Sequence, residues 1–264
     1  MCLKQSVGQN GVNNAVDVKV VQAALNLSQN TKFQLENNLI VDGAIGAKTI
    51  AAIKYYQQQI VTLTAPDGRV DPEGRTLRNL KVSILKGLNA DSLTAIMGHG
   101  NPIKIKSYLP FFLTLLPQYE VNTPLRISHF LAQVGHESLS LTYTEELASG
   151  AAYENRQDLG NNQKGDGVRF KGRGFIQLTG RQNYSDYSDY SGLDLLQKGN
   201  EQLISINPQY ALDVSLWFWK NRKLNNLADQ DDLRTITRRV NGGYNGINDR
   251  EDYLKRAKFF LMST

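Results

Sequence analysis

Three glutamates, Glu137, Glu145 and Glu146, lie close together in the chain. Cleaving a glycosidic bond takes two carboxyl groups: one protonated, to donate to the leaving oxygen, and one ionised, to activate water or attack carbon. On one continuous helix the step from Glu137 to Glu146 turns through about 900°, which puts the pair on opposite sides. They can meet only if the helix ends soon after Glu137 and the chain turns back. No strong helix breaker lies between them. Taken singly, any of the three is an ordinary solvated carboxylate. Other chemistries fail on spacing. His136-Glu137 opens like a zinc-protease helix, but the second histidine is needed four residues on, where Ser140 stands. Gly172-Arg173-Gly174 lacks the third glycine of a dinucleotide loop, because Gln177 occupies its place. There is no Gly-x-Ser-x-Gly elbow, and the one cysteine is Cys2. With three histidines and one cysteine, no metal and no cofactor are expected.

Positioning those glutamates falls to helices. Thr123-Pro124 is a helix start, with threonine as cap and proline in the first turn. Ile127, Phe130, Leu131 and Val134 follow at helical spacing as a buried face. Arg126, His129, Gln133 and Glu137 form the opposite stripe, which either meets solvent or floors a polar cleft. Asn207-Pro208 starts a helix that is apolar nearly all round, with Trp217, Phe218 and Trp219, and is expected to be central. Asp231 or Asp232 caps another, which stops at Asn241-Gly242-Gly243. A last helix begins at Asn248 or Asp249. Residues 149–180 hold seven glycines and read as a long turn-rich segment, with a small β-hairpin at 168–178. Such a loop inside a compact domain is usually functional or disordered.

The first 85 residues read as short helices joined by glycine turns. Asp17 is the expected cap of a helix over 17–26, and Thr49, Ile50, Ile53, Tyr56 and Gln57 belong to a second. Asp42-Gly43 and Asp67-Gly68 align as an internal repeat, each followed by a glycine and a threonine before a helix. The chain has 264 residues, enough for about two domains. Its net charge of +5 is uneven: residues 1–90 carry +4 and the remainder +1. A mild basic excess suits an anionic polymer. No basic run with interleaved aromatics favours nucleic acid. No apolar run is long enough to span a membrane, and the N-terminus lacks the apolar stretch of a secretory signal. Lys255, Arg256 and Lys258 beside Tyr253, Phe259 and Phe260 make a basic amphipathic end, suited to a weak membrane contact or to docking as a terminal helix.

Two resemblances follow. Asp-Gly-x-x-Gly-x-x-Thr, then an apolar helix ending in Tyr56-Gln57, resembles the three-helix peptidoglycan-binding modules of cell-wall hydrolases, over roughly residues 1–82. Residues 127–138 (Ile-Ser-His-Phe-Leu-Ala-Gln-Val-Gly-His-Glu-Ser) resemble the catalytic-acid segment of glycoside hydrolase family 19, which includes chitinases and phage endolysins. Further matches come in the family's order: Gly172-Arg173-Gly174 with Gln177-Leu178-Thr179, then Asn183-Tyr184, Trp217-Phe218-Trp219, residues 240–246 (Val-Asn-Gly-Gly-Tyr-Asn-Gly) and Arg250.

The resemblance implies a mainly α fold: a three-helix wall-binding module at residues 1–85, then a lysozyme-like catalytic domain at 91–264 with a small β-hairpin region. It implies Glu137 as general acid, Glu146 as general base in preference to Glu145, and Thr179 helping to hold the attacking water. Gln177, Asn183, Tyr184, Asn241 and Arg250 would serve the substrate, with Arg250 pairing a carboxylate in the cleft. Gly172, Gly174, Trp217 and Trp219 read as fold. The expected protein is a monomeric endolysin that cleaves peptidoglycan glycan strands by inversion. It would accumulate in a host cytoplasm and reach the wall through a holin-type route. A chitinase of the same chemistry and a non-catalytic wall-binding protein are the alternatives.

Overall fold

The computed structural model describes residues 2–263. Contacts divide the chain into two compact units. One runs to Leu109 and takes in the stretch from Asn248; the other is Pro110–Ile247. The first holds β1 (Val7–Gly8), α1 (Ala15–Leu27), α2 (Ala47–Gln59), β2 (Arg69–Val70), α3 (Arg75–Ser83) and α4 (Ala90–Met97), and its boundary falls within α5 (Pro102–Gln118). The second holds α6 (Pro124–Glu137), α7 (Asp166–Arg169), α8 (Arg181–Ser191), α9 (Leu203–Ile206), α10 (Pro208–Asn221), α11 (Leu224–Ala228) and α12 (Leu233–Asn241). The chain then enters α13 (Ile247–Leu261). The fold is mainly α, and the sheet among the described residues is the antiparallel pair β1–β2. The motif-based division at residues 85–91 rests on resemblance; the packing units cut the chain at 109/110 and 247/248.

In the first unit, Val18, Val21 and Leu25 of α1 form the expected stripe and are fully buried. Fully burying a side chain of that size contributes about 1.5–3 kcal/mol. The cap of α1 is Asn14, which accepts from the N–H of Val16. Asp17 lies in the first turn instead. Its carboxylate takes the N–H groups of Lys4 (3.1 Å) and Gln5 (2.9 Å), which ties the N-terminal segment to the helix.

The internal repeat has a structural counterpart. Gln22 Nε2 faces Asp42 Oδ1 (3.0 Å), Ala44 O (3.1 Å) and Thr49 Oγ1 (3.5 Å), while Gln22 Oε1 accepts from Gly43 N–H (3.0 Å). Gln57 does the same one repeat later, to Asp67 Oδ1 (2.7 Å), Arg69 O (2.9 Å) and Thr76 Oγ1 (3.2 Å), and accepts from Gly68 N–H (2.9 Å). Each Asp-Gly turn is thus clasped by a buried glutamine. Gly43 (φ 83°) and Gly68 (φ 71°) supply the left-handed backbone that the clasp needs.

In the second unit, Thr123 caps α6 with Pro124 in its first turn, Asn207 caps α10, and Asp232 caps α12. Phe130 of α6 meets Trp219 of α10 edge to face, ring centres 5.4 Å apart, and both are fully buried. The polar stripe of α6 is neither a solvent face nor a cleft floor along its length. His129 and Gln133 are fully buried, with His129 Nε2 2.7 Å from Asp231 Oδ1 and Gln133 Nε2 3.4 Å from Thr237 Oγ1. Arg126 pairs with Asp229. The expected hairpin at 168–178 is replaced by α7 and two isolated bridges, Arg173↔Leu178 and Glu145↔Arg173. The Arg173–Leu178 turn has Gly174 (φ 78°) and Gln177 (φ 59°) in the left-handed region and buries Phe175 and Ile176, so no second rung forms.

Candidate active site

Helix α6 ends at Glu137, and the chain reverses through Leu139, Ser140 and Leu141 with φ of 48°, 59° and 62°. Three consecutive non-glycine residues in this region are costly, roughly 1–2 kcal/mol each. Local bonds hold them there. Ser138 caps the helix, its hydroxyl donating to Val134 O and accepting from Leu141 N–H (2.9 Å). Ser140 N–H reaches Gly135 O (2.7 Å), and Thr142 and Tyr143 N–H both reach Ser138 O (2.9 Å each). Ser138, Ser140 and Leu141 are fully buried, so the turn is a packed element. It is the reversal that brings Glu146 back toward Glu137.

Both glutamates line one pocket of about 440 Å³ with Gln177 and Thr179 of the expected site, and Glu145, the disfavoured candidate, lines it too. Tyr143, Leu147, Ala148 and Tyr153 complete its walls. The neighbouring glutamates have different surroundings. Glu145 pairs with Lys171 Nζ (3.0 Å) and with Arg173 (3.2 Å). Burial pushes its carboxyl up, but these two cations outweigh burial and hold it below the ordinary carboxylate range. Glu146 instead accepts from the Tyr153 hydroxyl (3.0 Å) and from Gly172 N–H (3.2 Å). A Cβ on Gly172 would lie 2.9 Å from Gln177 Oε1 and 3.3 Å from Glu146 Oε2, so the backbone here runs close against both side chains.

Thr179 Oγ1 donates to Gln177 O (2.9 Å), and Gln177 Nε2 donates to Gly174 O (2.8 Å). Asn183, on α8, donates to Thr179 O (2.6 Å) but lines a separate pocket of about 400 Å³ with Asp186, Trp217, Phe218, Asn221 and Arg222. Tyr184, expected at the substrate, is fully buried. Its hydroxyl donates to Lys171 O (2.7 Å) and accepts from Arg173 (3.0 Å), so it braces the Gly-Arg-Gly segment from behind. Asn241 is exposed at the end of α12, and its side chain accepts from Gly243 N–H (3.1 Å), the part of a helix stop. Arg250 is fully buried on α13 and belongs by contacts to the first unit.

His136, rejected as a metal ligand, has a packing partner. A Cβ on Gly246 (φ 70°) would sit 2.1 Å from His136 Cε1. The imidazole therefore lies directly against the backbone that follows α12. Among the described residues no group of three or more His, Cys, Asp and Glu side chains could hold a metal ion. The wall residues missed in sequence are Tyr143, Leu147, Ala148 and Tyr153. Tyr153 sits in a short 3-10 turn, Ala151–Tyr153, of the glycine-rich segment, where no periodicity marks it.

Comparison with known proteins identifies the family. The family model described as "Chitinase class I" matches residues 123–233. A glycosyl hydrolase family 19 domain-containing protein of Haemophilus influenzae is 31% identical over 152 residues, 46% of this chain and 72% of that one. An endochitinase of Arabidopsis thaliana is 30% identical, over 58% of this chain and 53% of its own length. The chain thus spans about half of that plant relative. Chitinase C from Streptomyces griseus shares the fold at a TM-score of 0.54 and 20% identity, over 68% of this chain and 80% of that one. A bacterial family 19 chitinase does so at 0.53 and 21%, over 66% and 96%. The chain belongs to glycoside hydrolase family 19, a family of enzymes that hydrolyse glycosidic bonds.

Proposed function

We propose that this protein is an endolysin that hydrolyses the glycan strands of bacterial peptidoglycan, as a lysozyme-type N-acetylmuramidase. The observation that carries the reading is the single pocket shared by Glu137, Glu146, Gln177 and Thr179, in which Glu145 is already committed to Lys171 and Arg173. Glu137 donates a proton to the leaving oxygen, and Glu146 takes one from a water held near Thr179. Displacement is direct and inverts the anomeric carbon, as in enzymes whose carboxyls stand roughly 6.5–9.5 Å apart. Gln177 binds the N-acetyl sugar, and Asn183 holds the Thr179 backbone through its bond to Thr179 O.

Residues 1–85, with their clasped Asp-Gly repeat and net basic charge, act as a wall-binding module, and 91–264 as the catalytic domain. The protein works as a monomer, without cofactor or nucleic acid, and passes from a host cytoplasm to the cell wall at lysis. Tyr253, Phe259 and Phe260 are buried, so any membrane contact falls to the half-exposed Lys255 and Lys258. A chitinase is the second reading, favoured by the endochitinase names of the plant relatives.

The test compares clearing of a peptidoglycan suspension with release of reducing ends from chitin, using Glu137→Gln as control. Faster turnover of peptidoglycan, lost in the variant, supports the endolysin. Faster turnover of chitin supports the second reading. Equal clearing by the variant removes Glu137 as the acid.

A further inference from the structure

Tyr153 stands in the wall of the pocket beside Glu146, and the family resemblance of the motifs assigns it nothing. The Glu146 carboxylate is held at both oxygens: Oε1 accepts from the Tyr153 hydroxyl (3.0 Å) and Oε2 from Gly172 N–H (3.2 Å). Its backbone is pinned as well, with Glu146 N–H donating to Gly172 O (2.9 Å) and Lys171 Nζ donating to Glu146 O (3.0 Å). A carboxylate oxygen has two lone pairs. One donor on each oxygen therefore fixes the rotamer and leaves acceptor capacity for water.

Tyr153 is itself anchored. Its N–H donates to Gly150 O (2.9 Å), and its carbonyl accepts from Asn161 Nδ2 (2.8 Å). Asn161 is fully buried and accepts from Arg181 N–H (2.8 Å) at the start of α8. Gly150 (φ 82°) cannot carry a side chain there, since a Cβ would meet Gly167 O at 2.5 Å. The phenol thus projects from a braced turn. Burial first, and then the Glu146 carboxylate, push its hydroxyl above the ordinary tyrosine value, so it stays a donor.

We propose that Tyr153 is a positioning residue for Glu146, and that the turn anchored at Gly150 and Asn161 delivers this hydroxyl. The inference rests on the reading of Glu146 as general base. It is tested by kcat and KM for Tyr153→Phe, Glu146→Gln and the double variant, on whichever polymer the wild-type enzyme turns over fastest, with Tm measured alongside. Losing one hydrogen bond to a charged group corresponds to about a tenfold rate change. Tyr153→Phe should lower kcat about tenfold with KM and Tm near wild type, and the double variant should be no slower than Glu146→Gln alone. Wild-type kcat in Tyr153→Phe, with Glu146→Gln inactive, overturns the positioning role and leaves the base in place. The same tenfold loss repeated in the Glu146→Gln background, or a loss that follows Tm, also overturns it. Full turnover by Glu146→Gln overturns the base assignment instead.

Discussion

The two units use glycine turns to opposite ends. In the first, each Asp-Gly turn is closed on a buried glutamine: Gln22 for Asp42-Gly43, and Gln57 for Asp67-Gly68. The polar groups of those turns are consumed inside the protein. In the second, the turns around Gly172 and Gly174 leave Glu137, Glu146, Gln177 and Thr179 on a pocket wall. Similar punctuation in sequence thus builds a rigid scaffold in one place and an open site in the other. The difference lies in which polar atoms are already paired.

Substitutions separate the two cases. The largest effect belongs to the pocket. Glu137→Gln and Glu146→Gln should each lower kcat by about 100- to 10,000-fold, the usual span for acid–base groups, with little change in Tm. Steady-state rates with a parallel thermal melt show both. Gly246→Ala comes next. Its positive φ and the 2.1 Å approach to His136 predict a loss of at least about 2 kcal/mol in urea unfolding, together with lost activity. In the first unit, Gln57→Ala strands buried partners and should cost about 1–3 kcal/mol, while kcat per folded molecule stays at wild type. A kcat loss for that variant would blur the contrast.

A smaller effect is one of pH. The Arg181 guanidinium, bonded to Asp166 at 2.6 and 2.8 Å, holds that carboxyl below the ordinary aspartate value of 3.8. A carboxyl lowered by folding adds stability above its unfolded value, and that stability is lost as pH falls through the folded one. Unfolding free energy should therefore drop as pH falls below about 4, and Asp166→Asn should lose part of that slope. The smallest effect is a gain. Leu139 is exposed and left-handed, so Leu139→Gly relieves strain and should add up to about 1 kcal/mol.

How far sequence reaches depends on whether a signal is local. The caps Thr123 and Asn207 were legible because each sits beside the helix it starts, and the choice between Asp231 and Asp232 falls to Asp232. Asn14 was not, since Asp17 is an equally good cap by type and lost to it through its bonds to Lys4 and Gln5. The Asp-Gly repeat was legible, but its glutamine clasps were not: Gln22 lies 20 residues before its aspartate and Gln57 only 10, so no fixed spacing links them. The reversal after Glu137 was required by the chemistry yet invisible in composition. It is built from Leu139, Ser140 and Leu141, types that ordinarily avoid that backbone, and it survives on the bonds around Ser138. Glu137, Glu146, Gln177 and Thr179 converge as expected, whereas Tyr184 is drawn into the core by Lys171 and Arg173.

The most direct test of the central claim is mass spectrometry of purified peptidoglycan digested by the wild-type protein and by Glu146→Gln. The account predicts fragments with new N-acetylmuramic acid reducing ends from the wild type and intact strands from the variant. Fragments cut in the peptide stems, or equal digestion by the variant, would contradict it.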